Sequence, residues 1–201
     1  VASRGLGDVY KRQTMINIIV GLGNPGDKYA GTRHNVGAAF TVAVAKSFNI
    51  KIQPSKKYFG QSGKGRIGDH ELSLLIPDTF MNESGKSVSA FLNFYRIDPS
   101  SMLVVHDDLD LPVGTARYKD GGGHGGHNGL RDIIACLGNE NSFKRLRIGI
   151  DHPGDASKVT NYVLKAPLTN QKELIKKSFQ NAMKSLPMLF DNNWDAALLD
   201  L

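Results

Sequence analysis

Hydrophobic positions along the chain fall into short aliphatic runs separated by longer stretches with helical spacing. Ile16-Asn17-Ile18-Ile19-Val20 is β-branched and reads as a buried strand. Val36 to Phe48 is apolar over a helix length, with Asn35 near its N-cap. Tyr58 to Ile67 alternates as a strand and Leu72 to Ile76 forms another; Pro77 to Asn82 then turns into a helix carrying Val88, Phe91, Leu92 and Tyr95 on one face. Met102 to Val105 is a short strand ending in His106-Asp107-Asp108, and Gly114 to Lys119 and Leu146 to Ile150 complete the strand set. Leu130, Ile133, Ile134 and Leu137 recur at helical spacing, closed by Gly138 as the C′ residue. Asp155 to Leu164 reads as a short helix. Asn170 to Leu186 reads as an amphipathic one, with Leu174, Phe179, Ala182, Met183 and Leu186 inward and lysines outward. Strands and helices interleave, which predicts an α/β fold: a single three-layer domain, its mixed, largely parallel twisted sheet covered by helices on both faces. Residues 1–14 lack any such pattern and read as an expression or cloning leader, leaving 15–201 as the domain.

A length of 201 residues suits one such domain. The formal charge of +6 points to a polyanionic partner. Between Asp27 and Asp69 there is no acidic residue, while Lys28, Arg33, Lys46, Lys51, Lys56, Lys57, Lys64 and Arg66 lie there, which predicts one strongly positive surface. The single cysteine, Cys136, sits in an apolar run and is expected to pack as a small hydrophobe. One cysteine allows no intrachain disulfide and fits a reducing, cytoplasmic setting. No apolar run approaches the ~20 residues of a membrane span.

Three glycine-containing segments invite phosphate chemistry. Gly21-Leu22-Gly23-Asn24-Pro25-Gly26 matches GxGxxG after a strand, but Gly31 interrupts the helix a dinucleotide fold needs, and no acidic residue follows at the ribose-binding distance. Gly85-Lys86-Ser87 resembles the end of a P-loop, yet Phe80 stands where its first glycine belongs. Gly121 to Gly129 is the richest: six glycines, His124, His127 and Asn128 feed directly into a helix, a ready anion site.

The polar groups cluster where apolar strands end, which is where open α/β sheets gather their sites. A histidine and an aspartate from distant segments can make a base with its orienting carboxylate; Asp107 ends a strand and His34 lies in a connection nearby. Carboxamides at Asn24, Asn82 and Asn128 suit gripping peptide-like groups or an oxyanion. No GxSxG elbow is present, so a covalent nucleophile has little support. His106, Asp107, Asp108, His124 and His127 are metal-ligand types without compact ligand spacing. A cofactor-dependent oxidoreductase and a non-catalytic RNA-binding module stay open on these residues alone.

Together, Gly21 to Gly26, Thr32-Arg33-His34-Asn35, Phe80-Met81-Asn82, His106 to Asp110 and Gly121 to Gly129 resemble the bacterial peptidyl-tRNA hydrolase family, in its order and approximate spacing from Met15 to at least Leu164. The resemblance implies a monomeric, metal-free and cofactor-free enzyme that cleaves the ester between a peptide and the 3′ end of tRNA. It implies His34 as general base, Asp107 as its partner, and Asn128 as holder of the water or oxyanion beside His127. Asn24, Asn82 and Tyr29 would bind the peptidyl end, and Lys119 and Arg147 the 5′ phosphate of tRNA.

Overall fold

The computed structural model describes residues 15–191 and 193–201. The leader expected over 1–14 lies outside the described residues. Seven strands build one sheet: β1 (Ile18–Gly21), β2 (Gln53–Ser55), β3 (Gly60–Ile67), β4 (His70–Pro77), β5 (Met102–Asp108), β6 (Ala116–Asp120) and β7 (Lys144–Gly149). Their spatial order is β2-β3-β4-β1-β5-β7-β6. The four central strands β4, β1, β5 and β7 are parallel, and β3, β2 and β6 extend the sheet antiparallel at its two edges. This is the mixed, largely parallel sheet expected.

Helices α1 (Val36–Ser47), α5 (Thr169–Phe190) and α6 (Trp194–Leu199) cover one face, while α2 (Ser84–Tyr95) and α3 (Asn128–Cys136) cover the other. The short α4 (Val159–Val163) follows β7. Strand alternation divides the core accordingly. Ile19, Leu103 and Val105 point into the α1/α5 layer, and Ile18, Val20 and Val104 into the α2/α3 layer. The central strands are therefore apolar on both faces, as buried parallel strands must be. Gly37 lets α1 come down on β5: a Cβ there would sit 2.1 Å from the carbonyl oxygen of Val105.

Four expectations need correction. The amphipathic helix α5 does not stop at Leu186 but runs through Pro187 to Phe190, because buried Leu189 and Phe190 outweigh one lost backbone hydrogen bond. Its inward stripe includes Ile175, whereas Leu174 is 46% exposed. Cys136 is exposed, lying at the last turn of α3. The segment without acidic residues does not form one positive face. Arg33 is buried, Lys46 ends α1 on one side of the sheet, and Lys57 and Lys64 lie over rings of α2 on the other.

Candidate active site

The carboxyl ends of β1, β4 and β5 open onto a cleft of about 780 Å³, roofed by the glycine loop and closed on one side by α4. Asn24, Tyr29, His34, Asn82, Asp107, Lys119, His127, Asn128 and Arg147 all line it, so the nine side chains picked from the sequence converge on a single cavity.

His34 sits in a 3-10 turn, Arg33–Asn35, just before α1, and is nearly buried. Its Nδ1 lies 2.8 and 3.0 Å from the two Asp107 carboxylate oxygens, so Nδ1–H donates and Nε2 keeps a lone pair with no protein partner among the described residues. Burial pulls the pKa of His34 down, but the Asp107 charge and hydrogen bond outweigh it and leave that pKa raised. Asp107, at the end of β5, is itself buried, which alone would raise its pKa; electrostatic attraction and hydrogen bonds from His34 and His127 hold it well below the usual carboxylate range instead.

The second donor to Asp107 comes from the glycine loop. His127 is the N-cap of α3: its Nδ1 accepts from the backbone N–H of Gly129 and Leu130, which obliges Nε2 to carry the proton it gives Asp107 at 3.0 Å. The helix start thus spends these two N–H groups on an imidazole, and the anion site expected there is not formed by them. Positive φ at Gly121, Gly122, Gly125 and Gly126 bends the loop into this position.

His106, beneath His127 with ring centroids 5.0 Å apart, donates Nδ1–H to the Asp107 carbonyl. Burial keeps it neutral, with its pKa lowered to about 3. The ligand types foreseen for a metal are therefore scattered: His106 and His124 bind backbone groups, and Asp108 binds Arg147. His34, Asp107 and His127 do come within 4.8 Å of one another. Both imidazoles, however, contact the same carboxylate oxygen at 2.8 and 3.0 Å, closer than the roughly 3.3 Å between two ligands on a tetrahedral zinc.

Asn35 occupies the α1 N-cap position without a capping hydrogen bond from its side chain. Its carboxamide instead grips the backbone of Asn24, accepting from its N–H and donating to its carbonyl, both at 2.9 Å. Asn24 Oδ1 accepts from the Met81 N–H at 2.8 Å, so its Nδ2 is the group left to the cleft. Asn82 follows Met81, and Tyr29 meets Phe80 edge-to-face at 6.5 Å. Asn128 is exposed, its Oδ1 accepting from Arg131 at 3.1 Å.

On the far wall, β6 and β7 pair antiparallel with Lys119 opposite Arg145. Arg147 uses its Nε to bind Asp108 at 2.7 Å, and its two terminal amines have no partner among the described residues. Arg145 is a residue the sequence reading missed: it is buried and holds the carbonyls of Gly122 and Gly123, pinning the glycine loop. Its i, i+2 relation to Arg147 on one strand was the available signal. Arg33 was also missed as a positioning group. It stacks on Tyr162 at 4.0 Å and donates to the carbonyls of Tyr162, Lys165 and Ala166 and to Gln171 Oε1, tying the turn of His34 to α4 and the start of α5.

The GxGxxG segment does not lead straight into a helix, since α1 begins ten residues after Gly26. A buried histidine–aspartate pair, convergent carboxamides and a cationic wall in an α/β domain are instead the parts of a hydrolase site. The sequence profile of the peptidyl-tRNA hydrolase family matches residues 18–200, so the chain belongs to that family. It is 51% identical to a peptidyl-tRNA hydrolase of Azotobacter vinelandii, over 94% of this chain and 97% of that protein. A Haemophilus influenzae peptidyl-tRNA hydrolase shares 51% identity over 87% and 90%. The crystal structure of peptidyl-tRNA hydrolase from Acinetobacter baumannii superposes with a TM-score of 0.89 at 43% identity, covering 92% of this chain and 93% of that one.

Proposed function

We propose that the cleft hydrolyses the ester joining a peptide to the 3′ end of tRNA, with His34 as the general base and no metal taking part. Family membership carries the reaction. The observation that carries the mechanism is the hydrogen bond from His34 Nδ1 to Asp107, which turns the basic Nε2 toward the cleft. Nε2 takes a proton from water as its oxygen attacks the ester carbonyl, and Asp107 stabilises the imidazolium that forms. The tetrahedral oxyanion then collapses, expelling the tRNA 3′ oxygen, which recovers the proton from His34. Free peptide and free tRNA leave.

Asn24 Nδ2 and Asn82 grip the peptide amides beside Tyr29, while Asn128, steadied by Arg131, holds the water or the oxyanion next to His127. Lys119 and the free fork of Arg147 take the 5′ phosphate, a contact that positions any tRNA without reading its sequence. The enzyme acts as a monomer in the cytoplasm, where its substrate arises. Among the described residues no helix is long and apolar enough to cross a membrane. The test is release of peptide from peptidyl-tRNA by His34→Ala. The rate should fall by about 10²–10⁴-fold while binding of uncleaved substrate survives; normal turnover would refute the assignment.

A further inference from the structure

Beyond Tyr29, one surface beside the cleft has no role in this mechanism. Tyr29 and Phe80 stand at the cleft's mouth on the Asn24–Asn82 side, and Phe80 is 52% exposed. The rings continue outward. The N–H of Asp78, two residues before Phe80, donates to the carbonyl of Phe59. Phe59 itself adopts a left-handed backbone, φ 51°, uncommon for a bulky residue, and its ring is 42% exposed. Lys86 lies over that ring at 4.3 Å, and Lys57 over the ring of Phe94 at 3.2 Å. Lys86 and Phe94 are eight residues apart on α2, two turns along one face.

The result is a row of exposed rings, two of them topped by lysines, beside the cleft and along α2, a helix about 18 Å long at twelve residues of ~1.5 Å each. Five or six extended residues at ~3.3 Å each span that distance. Asp78 and Glu83 are exposed close to the mouth, so positive charge dominates only farther out, at Lys86 and Lys57.

We propose that this strip carries the part of the substrate's peptide remote from the ester, and favours acidic side chains there. The inference rests on the reading that Asn24 and Asn82 hold the peptidyl end, since that places the emerging chain at the mouth where the strip begins. Rings give a sequence-tolerant apolar track, and the two ammonium groups give it a sign.

The test compares kcat/KM for three substrates on one tRNA: an N-acylated dipeptide, and two heptapeptides whose remote residues are acidic or basic. The parent protein should favour the acidic over the basic heptapeptide by about three- to tenfold, the size expected of two exposed charge pairs. Lys57→Ala/Lys86→Ala should equalise them, and Lys57→Glu/Lys86→Glu should invert the order. The dipeptidyl substrate should change less than twofold in either variant. Equal rates for the two heptapeptides in the parent overturn the inference, as does a preference that survives the charge reversal. Loss of the dipeptidyl rate in the reversed variant would assign the strip to tRNA instead, also overturning it. Failure of the parent to cleave the dipeptidyl substrate would sink the functional reading itself, a separate outcome.

Discussion

Replacing Asp107 by Asn tests the centre of the mechanism, because both imidazole N–H groups end on this one side chain. Oδ1 accepts from His34 Nδ1 at 2.8 Å and from His127 Nε2 at 3.0 Å, and Oδ2 lies 3.0 Å from His34 Nδ1. An asparagine oxygen at the first position keeps both contacts, but its NH2 then faces an N–H donor. The larger loss is the charge. An imidazolium and a carboxylate whose charge centres are about 4 Å apart attract by ~4 kcal/mol at an effective dielectric constant near 20. The parent gains that attraction as His34 takes its proton in the transition state. At ~1.4 kcal/mol per tenfold, kcat should fall roughly 10³-fold. The pH profile should move as well. Asp107 is what raises the pKa of His34, so its removal leaves burial alone and takes the acid limb of kcat/KM from above the ordinary value of 6.5 to below it. Peptide release across pH 5 to about 9, with circular dichroism to confirm the fold, reads both effects. A kcat within threefold of the parent, or an acid limb that stays put or rises, would show that Asp107 does not orient and charge-pair the base.

Three further outcomes follow from the same geometry. Lys119→Ala and Arg147→Ala should each raise KM more than they lower kcat and reduce the slope of log affinity against log salt by about one; removing the 5′ phosphate from the substrate should mimic them and add little to either. Exhaustive chelation should leave the rate unchanged, and recovery of a lost rate on adding zinc would reinstate a metal mechanism. Arg33→Gln should loosen α4 from the turn of His34, raising KM by about tenfold while kcat stays within threefold, since the base is held separately by Asp107. A change confined to kcat would place Arg33 in the chemistry rather than in the cleft wall.

Local pattern was enough for the frame of this protein. Apolar runs such as Ile18-Ile19-Val20 and Val104-Val105 can only be strands covered on both faces, and the glycine spacing before Leu130 announces a loop feeding a helix. Part of the cleft was legible too: Asn24, Asp107 and the glycine loop with Asn128 lie where apolar strands end, with His34 and Asn82 in the connections around them, whereas Tyr29, Lys119 and Arg147 were reached only through the family resemblance. What pattern could not supply was who touches whom. Asn35 looks like a helix cap, but register brings Asn24 within its reach and the carboxamide is used there. The start of α3 looks like an anion site, but His127 closes over its N–H groups and is thereby fixed in the tautomer that serves Asp107. A run of basic residues looks like one surface, but the sheet sends Arg33 into the interior and Lys46 and Lys57 to opposite sides. Propensity and periodicity act over a few residues, so the sequence determined the elements and the chemistry available. Contacts separated by 73 residues, as between His34 and Asp107, exist only once the chain has closed, so tertiary structure alone decided which nitrogen of His34 is engaged and which faces the cleft.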